Sequence, residues 1–356
     1  MSLRIALMLV VAPPTFSALR VLCVGETLFD GLPSGIYLGG APLNAAVHLA
    51  EVGVEASYAS AIGRDRLGRE AIRRLTSRGV DTSLITTVEN EETGFVEVDI
   101  DQKGDASYTF NTPAAWDFVS SVGVAAAAAD ADAVVFGSLG SRAEASRAAV
   151  RSAAAAASFT VCDINLRPPF VDDAVVAEAA SGVDLLKLND EELVPLADAL
   201  RNMAADDGAS SDATKACDAA QLAAEATKTS VAEDETRILI AQAACAIGVA
   251  AKAGSVVVTR GAEGAVVTRG TDDAWAHPGF VPPTVIDSVG AGDSFLAAFL
   301  ACLLTEGGQP AEALEAGCRC GAFVASRAGA TPAHAREAMA ALLPRDGGGV
   351  ERVVLS

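Results

Sequence analysis

Positive charge is scarce in this sequence. Its 356 residues carry 26 lysines and arginines against 46 aspartates and glutamates, a formal net charge of −20. A nucleic-acid partner needs a basic face to offset phosphates, which this balance argues against. Any anionic ligand must therefore be met by a few locally placed cations or by recruited metal ions. Histidine is rarer still, at positions 48, 277 and 334 only, and the seven cysteines (23, 162, 217, 245, 302, 318, 320) include no C-x-x-C pair. That removes the usual zinc patterns, and an odd number of cysteines in apolar runs reads as reduced thiols in a reducing, cytoplasmic compartment. Long apolar runs are also missing: Leu3 to Ala12 is too short to span a bilayer, and no membrane partner is expected. No G-x-G-x-x-G follows the first strand-like run, Arg20 to Gly25, which disfavours a Rossmann dehydrogenase.

What the sequence has is apolar bulk in alternating segments. Hydrophobic residues make up 51% of it, enough for one large α/β unit. Residues 1–18 form an extension that reads as a targeting peptide, a packing arm or a misassigned start, so organellar targeting stays open. From there, Glu55 to Ile62, Ala133 to Gly137, Phe159 to Ile164 and Val183 to Leu188 read as buried strands. Leu67 to Gly79 and the alanine-rich Ala143 to Ala157 read as helices between them. Thr93 to Ile100 and Ala106 to Phe110 alternate apolar and polar residues around Lys103-Gly104, the pattern of an antiparallel hairpin. Residues 201–236 break the pattern with eight acidic and three basic residues and few large apolar ones; they read as a solvated or loosely helical insertion.

The stretch Asp287-Ser288-Val289-Gly290-Ala291-Gly292-Asp293-Ser294-Phe295 joins a glycine-rich turn to an apolar helix with a carboxylate at the junction. Gly290, Ala291 and Gly292 leave almost no side-chain bulk, so their backbone N–H groups can close on an anion at a helix N-terminus. Asp293 would then accept a proton from a hydroxyl attacking a phosphoryl group held by those N–H groups. An aspartate so placed is expected to be a weak base, and an ordinary capped helix start uses the same residue types.

This stretch resembles the second signature of the ribokinase-like sugar kinases of the phosphofructokinase-B type. Gly39-Gly40-Ala41-Pro42-Leu43-Asn44-Ala45-Ala46 resembles their first, about 250 residues earlier. Similar pieces lie between: Gly25-Glu26-Thr27-Leu28-Phe29-Asp30, Ile62 to Gly68, Asp163-Ile164-Asn165-Leu166-Arg167, Leu188 to Leu193, and Thr259-Arg260-Gly261-Ala262-Glu263-Gly264. The start at Gly25, the L-G-G-A-P-L-N form and Ala115-Trp116-Asp117 look most like fructokinases. The resemblance implies a three-layer αβα fold over residues 19–345, with a mostly parallel sheet, a small β-sheet lid from about 31–38 and 92–112, and a C-terminal tail over 346–356.

It also implies roles for particular residues. Asp30 and Asn44 would take sugar hydroxyls, with Gly39 and Gly40 letting the sugar approach the backbone; a turn residue before Gly31 and a helix cap are the bland alternatives. Arg167 would pair with a phosphate or a substrate carboxylate, or else form a surface ion pair. Thr259, Gly261 and Gly264 would lie along the nucleotide, or form a plain hairpin turn. Asn189 and Glu192 would help place magnesium and its waters, though acidic residues suit a helix start anyway. Asp287 would take part, with the Ala328-Gly329-Ala330 segment, in holding a monovalent cation such as K⁺. The implied activity is ATP- and Mg²⁺-dependent phosphorylation of a sugar, with fructose to fructose 6-phosphate foremost. 2-Keto-3-deoxygluconate, ribose, a nucleoside, or a non-catalytic kinase-shaped scaffold are the alternatives. A homodimer through the lid is a further expectation.

Overall fold

A computed structural model describes residues 19–32, 35–100, 106–207, 211–229, 231–305, 307–333, 338–339, 341–343 and 349–355. The extension over 1–18 and the Lys103-Gly104 turn lie outside the described residues. In chain order, β1 (Arg20–Val24), β2 (Leu28–Leu32) and β3 (Gly35–Gly39) lead into α1 (Ala41–Val52), β4 (Glu55–Gly63) and α2 (Arg66–Ser77). β5 (Ile85–Val88), β6 (Gly94–Ile100) and β7 (Ala106–Phe110) follow, then α3 (Val124–Asp130), β8 (Ala133–Gly137), α4 (Glu144–Ala156), β9 (Thr160–Asp163), α5 (Asp173–Ala180) and β10 (Leu185–Asn189). The rest is α6 (Leu193–Asp207), α7 (Ser211–Lys228), α8 (Glu233–Ala251), β11 (Ser255–Thr259), β12 (Ala265–Arg269), β13 (Asp273–His277), α9 (Ala291–Leu303), α10 (Pro310–Ala325) and β14 (Glu351–Val353).

The large sheet runs β14-β13-β12-β11-β10-β9-β8-β1-β4-β5, parallel from β11 to β5 and antiparallel at the β12–β14 edge. Both faces are covered, which is why the parallel strands read as unbroken apolar runs rather than as alternation. Successive side chains still part to opposite faces. Leu22, Val24, Cys162 and Leu186 join the core beneath α3 to α8. Val21, Cys23, Val161 and Leu185 join the core beneath α1, α9 and α10. This is the three-layer α/β architecture. The second sheet runs β3-β2-β6-β7, with β2 and β6 parallel and the other pairs antiparallel.

Local chemistry sets the helix ends. α1 starts with Pro42 at its second position, where a missing N–H costs nothing, and stops at Gly53 in the left-handed region, φ 100°. α9 and α10 pack closely because Gly317 faces the Phe295 ring, which a Cβ there would approach to 2.7 Å.

Two sequence expectations change. Residues 201–236 are not a solvated excursion: the end of α6, all of α7 and the start of α8 are helical. Ala213, Ala216, Cys217, Ala220, Ala223 and Ala226 form a buried stripe on α7, four of them in the larger core. Small apolar residues at helical spacing bury a face that their low bulk hides from a composition count. Nor is the C-terminus only a tail, since β14 pairs with β13.

Candidate active site

The C-terminal ends of the parallel strands bring the candidate residues to one edge, where open α/β sheets bind ligands. Glu26 follows β1, Asp30 lies in β2 just beyond it, β9 ends on Asp163, β10 on Asn189 and β11 on Thr259. α1 and α9 point their N-terminal turns at the same place, and their side chains meet: Asn44 Nδ2 donates to Asp293 Oδ2 at 2.8 Å. The two signatures are therefore one structure.

α9 is capped by Gly290 at φ 78°, in the left-handed region. A Cβ there would lie 2.2 Å from the Ala330 carbonyl oxygen, so only glycine fits. Asp293 sits in the first turn and is buried. Burial and the charge of Asp163 raise its pKa, against the opposing effects of Lys187, the Asn44 hydrogen bond and His48. The expectation of a weak base from the helix N-terminus alone thus omitted the stronger influence, since desolvation disfavours the charged carboxylate.

Lys187 is the cation that sequence reading missed. It projects from the interior of β10, donates to Asp163 Oδ2 at 2.7 Å and is almost fully buried, as is Asp163. Its ammonium comes within 3.4 Å of where a Gly292 Cβ would stand. A lysine inside the apolar run Leu185-Leu186-Lys187-Leu188 was the available signal, because buried lysines need a partner.

Glu26 is the other missed group. Its Oε1 accepts the Ala41 N–H at 2.9 Å, tying the strand to the first signature. Burial pushes its pKa up to about 7, with the nearby Arg167 charge and two backbone hydrogen bonds opposing. Glu26 Oε2, Asn44 Oδ1 and Asp163 Oδ1 are buried and have no hydrogen-bond partner among the described residues. Three acceptors around one carboxylate are suited to donors, and hydroxyl groups are donors.

Asp30 is half-buried, with its pKa raised by burial and lowered by Arg167, so Arg167 serves both carboxylates electrostatically. Its own Nη1 returns to the Leu166 carbonyl, and the side chain is otherwise exposed. Gly39 is where Asp30 needs room: a Cβ there would stand 2.8 Å from Asp30 Oδ2. Gly40, at φ 121°, lies against the Glu26 carbonyl.

Residues 34–336 match the pfkB family carbohydrate kinase family. The chain belongs to it. Among relatives, a fructokinase of Vibrio alginolyticus is 30% identical over 193 residues, 50% of this chain and 63% of that protein. A fructokinase of Salmonella typhimurium is 29% identical over 200 residues, 49% of this chain and 62% of that protein. The matches thus span less than two thirds of these curated relatives' own length. Among solved structures, the fructokinase of Vibrio cholerae O395 in its fructose, ADP and calcium ion bound form superposes with a TM-score of 0.65 at 24% identity, covering 92% of this chain and 99% of that one. A sugar kinase of Pyrococcus horikoshii in complex with ATP gives 0.67 at 21% identity, covering 92% and 100%. At these identities the structures bear on the fold.

Thr259 ends β11 with its hydroxyl directed to the Leu188 carbonyl, 3.4 Å away, and Gly261 and Gly264 have φ of 53° and 84°. A Cβ on Gly264 would strike the His277 carbonyl at 1.9 Å, so glycine is required where the β11–β12 link packs against the chain leaving β13, whatever else it does. Asn189 and Glu192 form a reciprocal cap. Asn189 Oδ1 accepts from Glu192 N at 3.0 Å, Glu192 Oε2 accepts from Asn189 N at 2.9 Å, and Glu192 Oε1 accepts from Leu166 N at 2.6 Å. Asp287 accepts from Val289 N and Gly329 N, both at 3.0 Å, which joins it to the segment expected beside it. All three residues are committed to backbone N–H groups. They do not present a protein cage for a divalent ion, and no group of three or more His, Cys, Asp or Glu suited to a metal occurs among the described residues.

Proposed function

We propose that the chain is an ATP-dependent sugar kinase that phosphorylates the 6-hydroxyl of fructose. The observation that carries the reading is the 2.8 Å contact between Asn44 and Asp293 at the left-handed cap of α9, which unites a hydroxyl-orienting amide, a buried carboxylate and an anion cradle. Asp293, its basicity raised by burial and by Asp163, accepts the proton of the attacking hydroxyl. The N–H groups of residues 290–292 hold the transferring phosphoryl group at the positive end of the helix. Lys187 supplies a local cation beside that cradle in a strongly acidic chain. Asp30 and Asn44 orient the sugar, and Arg167 holds positive charge over the same side. Thr259, Gly261 and Gly264 line the nucleotide's path. Magnesium would arrive on the nucleotide's own phosphates, and Asn189 and Glu192 would help to place it through its water ligands. A monovalent cation would sit by the Asp287–Gly329 link. The exposed Leu32, Ile36 and Tyr37 of β2 and β3 are the surface that a lid-to-lid dimer would cover.

Arg167 favours a second substrate class, a sugar acid, because its charge faces Asp30 and Glu26 and it forms no ion pair with a carboxylate among the described residues. Assaying ADP release over fructose, ribose, 2-keto-3-deoxygluconate and a nucleoside, with NMR of the product to fix the phosphorylated position, tests the reading. Fructose 6-phosphate as the preferred product supports it. A sugar acid as the preferred acceptor replaces it with the second reading, and no turnover on any of them refutes both.

A further inference from the structure

Behind the anion cradle the backbone of residues 329–332 is held at every residue. Gly329 N–H goes to Asp287 Oδ2 at 3.0 Å. The Ala330 carbonyl faces His48 Nε2 at 2.9 Å. The Thr331 and Pro332 carbonyls accept from Arg78 Nη1 and Nη2 at 3.1 and 3.3 Å. Arg78 is itself paired with Glu51, and Glu51 Oε2 lies 3.2 Å from His48 Nδ1. His48 and Glu51 are buried and Arg78 reaches in from the end of α2.

The spacing on α1 is what makes this a device. Asn44, His48 and Glu51 stand at i, i+4 and i+7, one stripe of one helix. Its first member holds Asp293 and its second holds Ala330, whose carbonyl is the atom that a Gly290 Cβ would strike. One helix face therefore fixes both the carboxylate and the back wall of the N–H cradle. Nδ1 stands against a carboxylate and Nε2 against a carbonyl, both acceptors, so a neutral ring donates to one of them and the doubly protonated ring donates to both; either way the ring is fixed between Glu51 and Ala330.

We propose that His48 is a positioning residue for phosphoryl transfer, held by the Glu51–Arg78 pair and acting through Ala330 on the Gly290 turn. The proposal rests on the reading of residues 290–292 as the anion cradle. An unsupported 329–332 segment lets the Gly290 turn shift, and a misplacement near 1 Å can cost about 10²-fold in rate. The cost should fall on the nucleotide side, because the sugar contacts come from β2 and the start of α1.

The test uses the full chain with Arg78→Ala, Arg78→Lys and His48→Gln, each checked for a native circular dichroism spectrum and cooperative unfolding. Kinetics with fructose and ATP are joined by calorimetric titration of ATP without sugar, which reports on the cradle even if fructose proves the wrong acceptor. His48→Gln is expected to lower kcat/KM for ATP by about 10²-fold and Arg78→Ala by roughly tenfold, with Arg78→Lys recovering part of the loss and KM for the sugar unchanged. ATP binding should weaken in the same order. Folded variants with wild-type ATP affinity and kcat overturn the proposal, as does a loss shared equally between ATP and sugar. If no wild-type sugar turnover is found while ATP binding still follows the predicted order, the substrate reading fails and the bracing stands.

Discussion

Gly290→Ala separates the two things that glycine does at the cradle. The residue has φ 78°, and a side chain in the left-handed region costs roughly 1–2 kcal/mol. Added to this is a collision: the new Cβ would stand 2.2 Å from the Ala330 oxygen, about 1.2 Å short of the 3.4 Å at which ordinary contact begins. The neighbour is backbone, tied by Asp287, His48 and Arg78, so relief requires breaking one or two hydrogen bonds worth about 1 kcal/mol each or tilting the start of α9. The total is about 2–4 kcal/mol of stability, together with a displaced cradle and a fall of roughly 10²-fold in kcat/KM for ATP. Gly182→Ala is the control. It has φ 71° but nothing within 4 Å of the would-be Cβ, so it should cost the conformational part alone and leave kinetics untouched. Urea unfolding and steady-state kinetics on both variants measure the difference. Equal losses of stability, or wild-type kcat/KM in Gly290→Ala, would refute the proposed contact between the cradle and Ala330.

Two further outcomes follow from the same geometry. The folded-state pKa of Glu26, about 7 against 4.5, means that its stabilising contribution is full below 4.5 and is lost as pH rises through 7; 2.5 units at about 1.4 kcal/mol each make roughly 3 kcal/mol. Unfolding of wild type and Glu26→Gln between pH 4.5 and 8 should therefore diverge by that order, and parallel profiles would contradict a buried carboxyl there. Replacing residues 208–232 by a short Gly-Ser linker should lower the unfolding free energy by several kcal/mol, since six small buried side chains at about 0.8 kcal/mol per methyl-sized group leave the core. An unchanged melting temperature would show that α7 is dispensable packing.

Much of this site was legible because its chemistry demands unusual residues. Only glycine tolerates the backbone at 40, 264 and 290, and each is a place where chain approaches chain, so the motifs stand out in sequence. The parallel strands were readable for a related reason, being buried on both faces and apolar throughout. What could not be read depends on neighbours distant in the chain. The apolar run around Lys187 signals that it needs a partner, but Asp163 sits 24 residues away on the adjoining strand and nothing local identifies it. β14 has three residues and no periodicity, and its place comes from pairing with β13 and from Val353 in the larger core. The 201–236 segment shows a different failure, because the alanine spacing that buries α7 was present but was outweighed by its acidic composition. At Asn189 and Glu192 a capping box and a metal motif share residue types; the structure shows the cap, and the placing of magnesium is a separate proposal.

The most direct test of the account is the turnover of Asp293→Asn. The substitution keeps the size of the side chain and the start of α9, keeps a partner for Asn44, and removes the ability to accept a proton. With ATP, magnesium and fructose, the account predicts a kcat lower by roughly two to four powers of ten, with sugar binding largely retained by titration. A folded Asp293→Asn protein that turns over at the wild-type rate would contradict the assignment of Asp293 as the base, and with it the proposed mechanism.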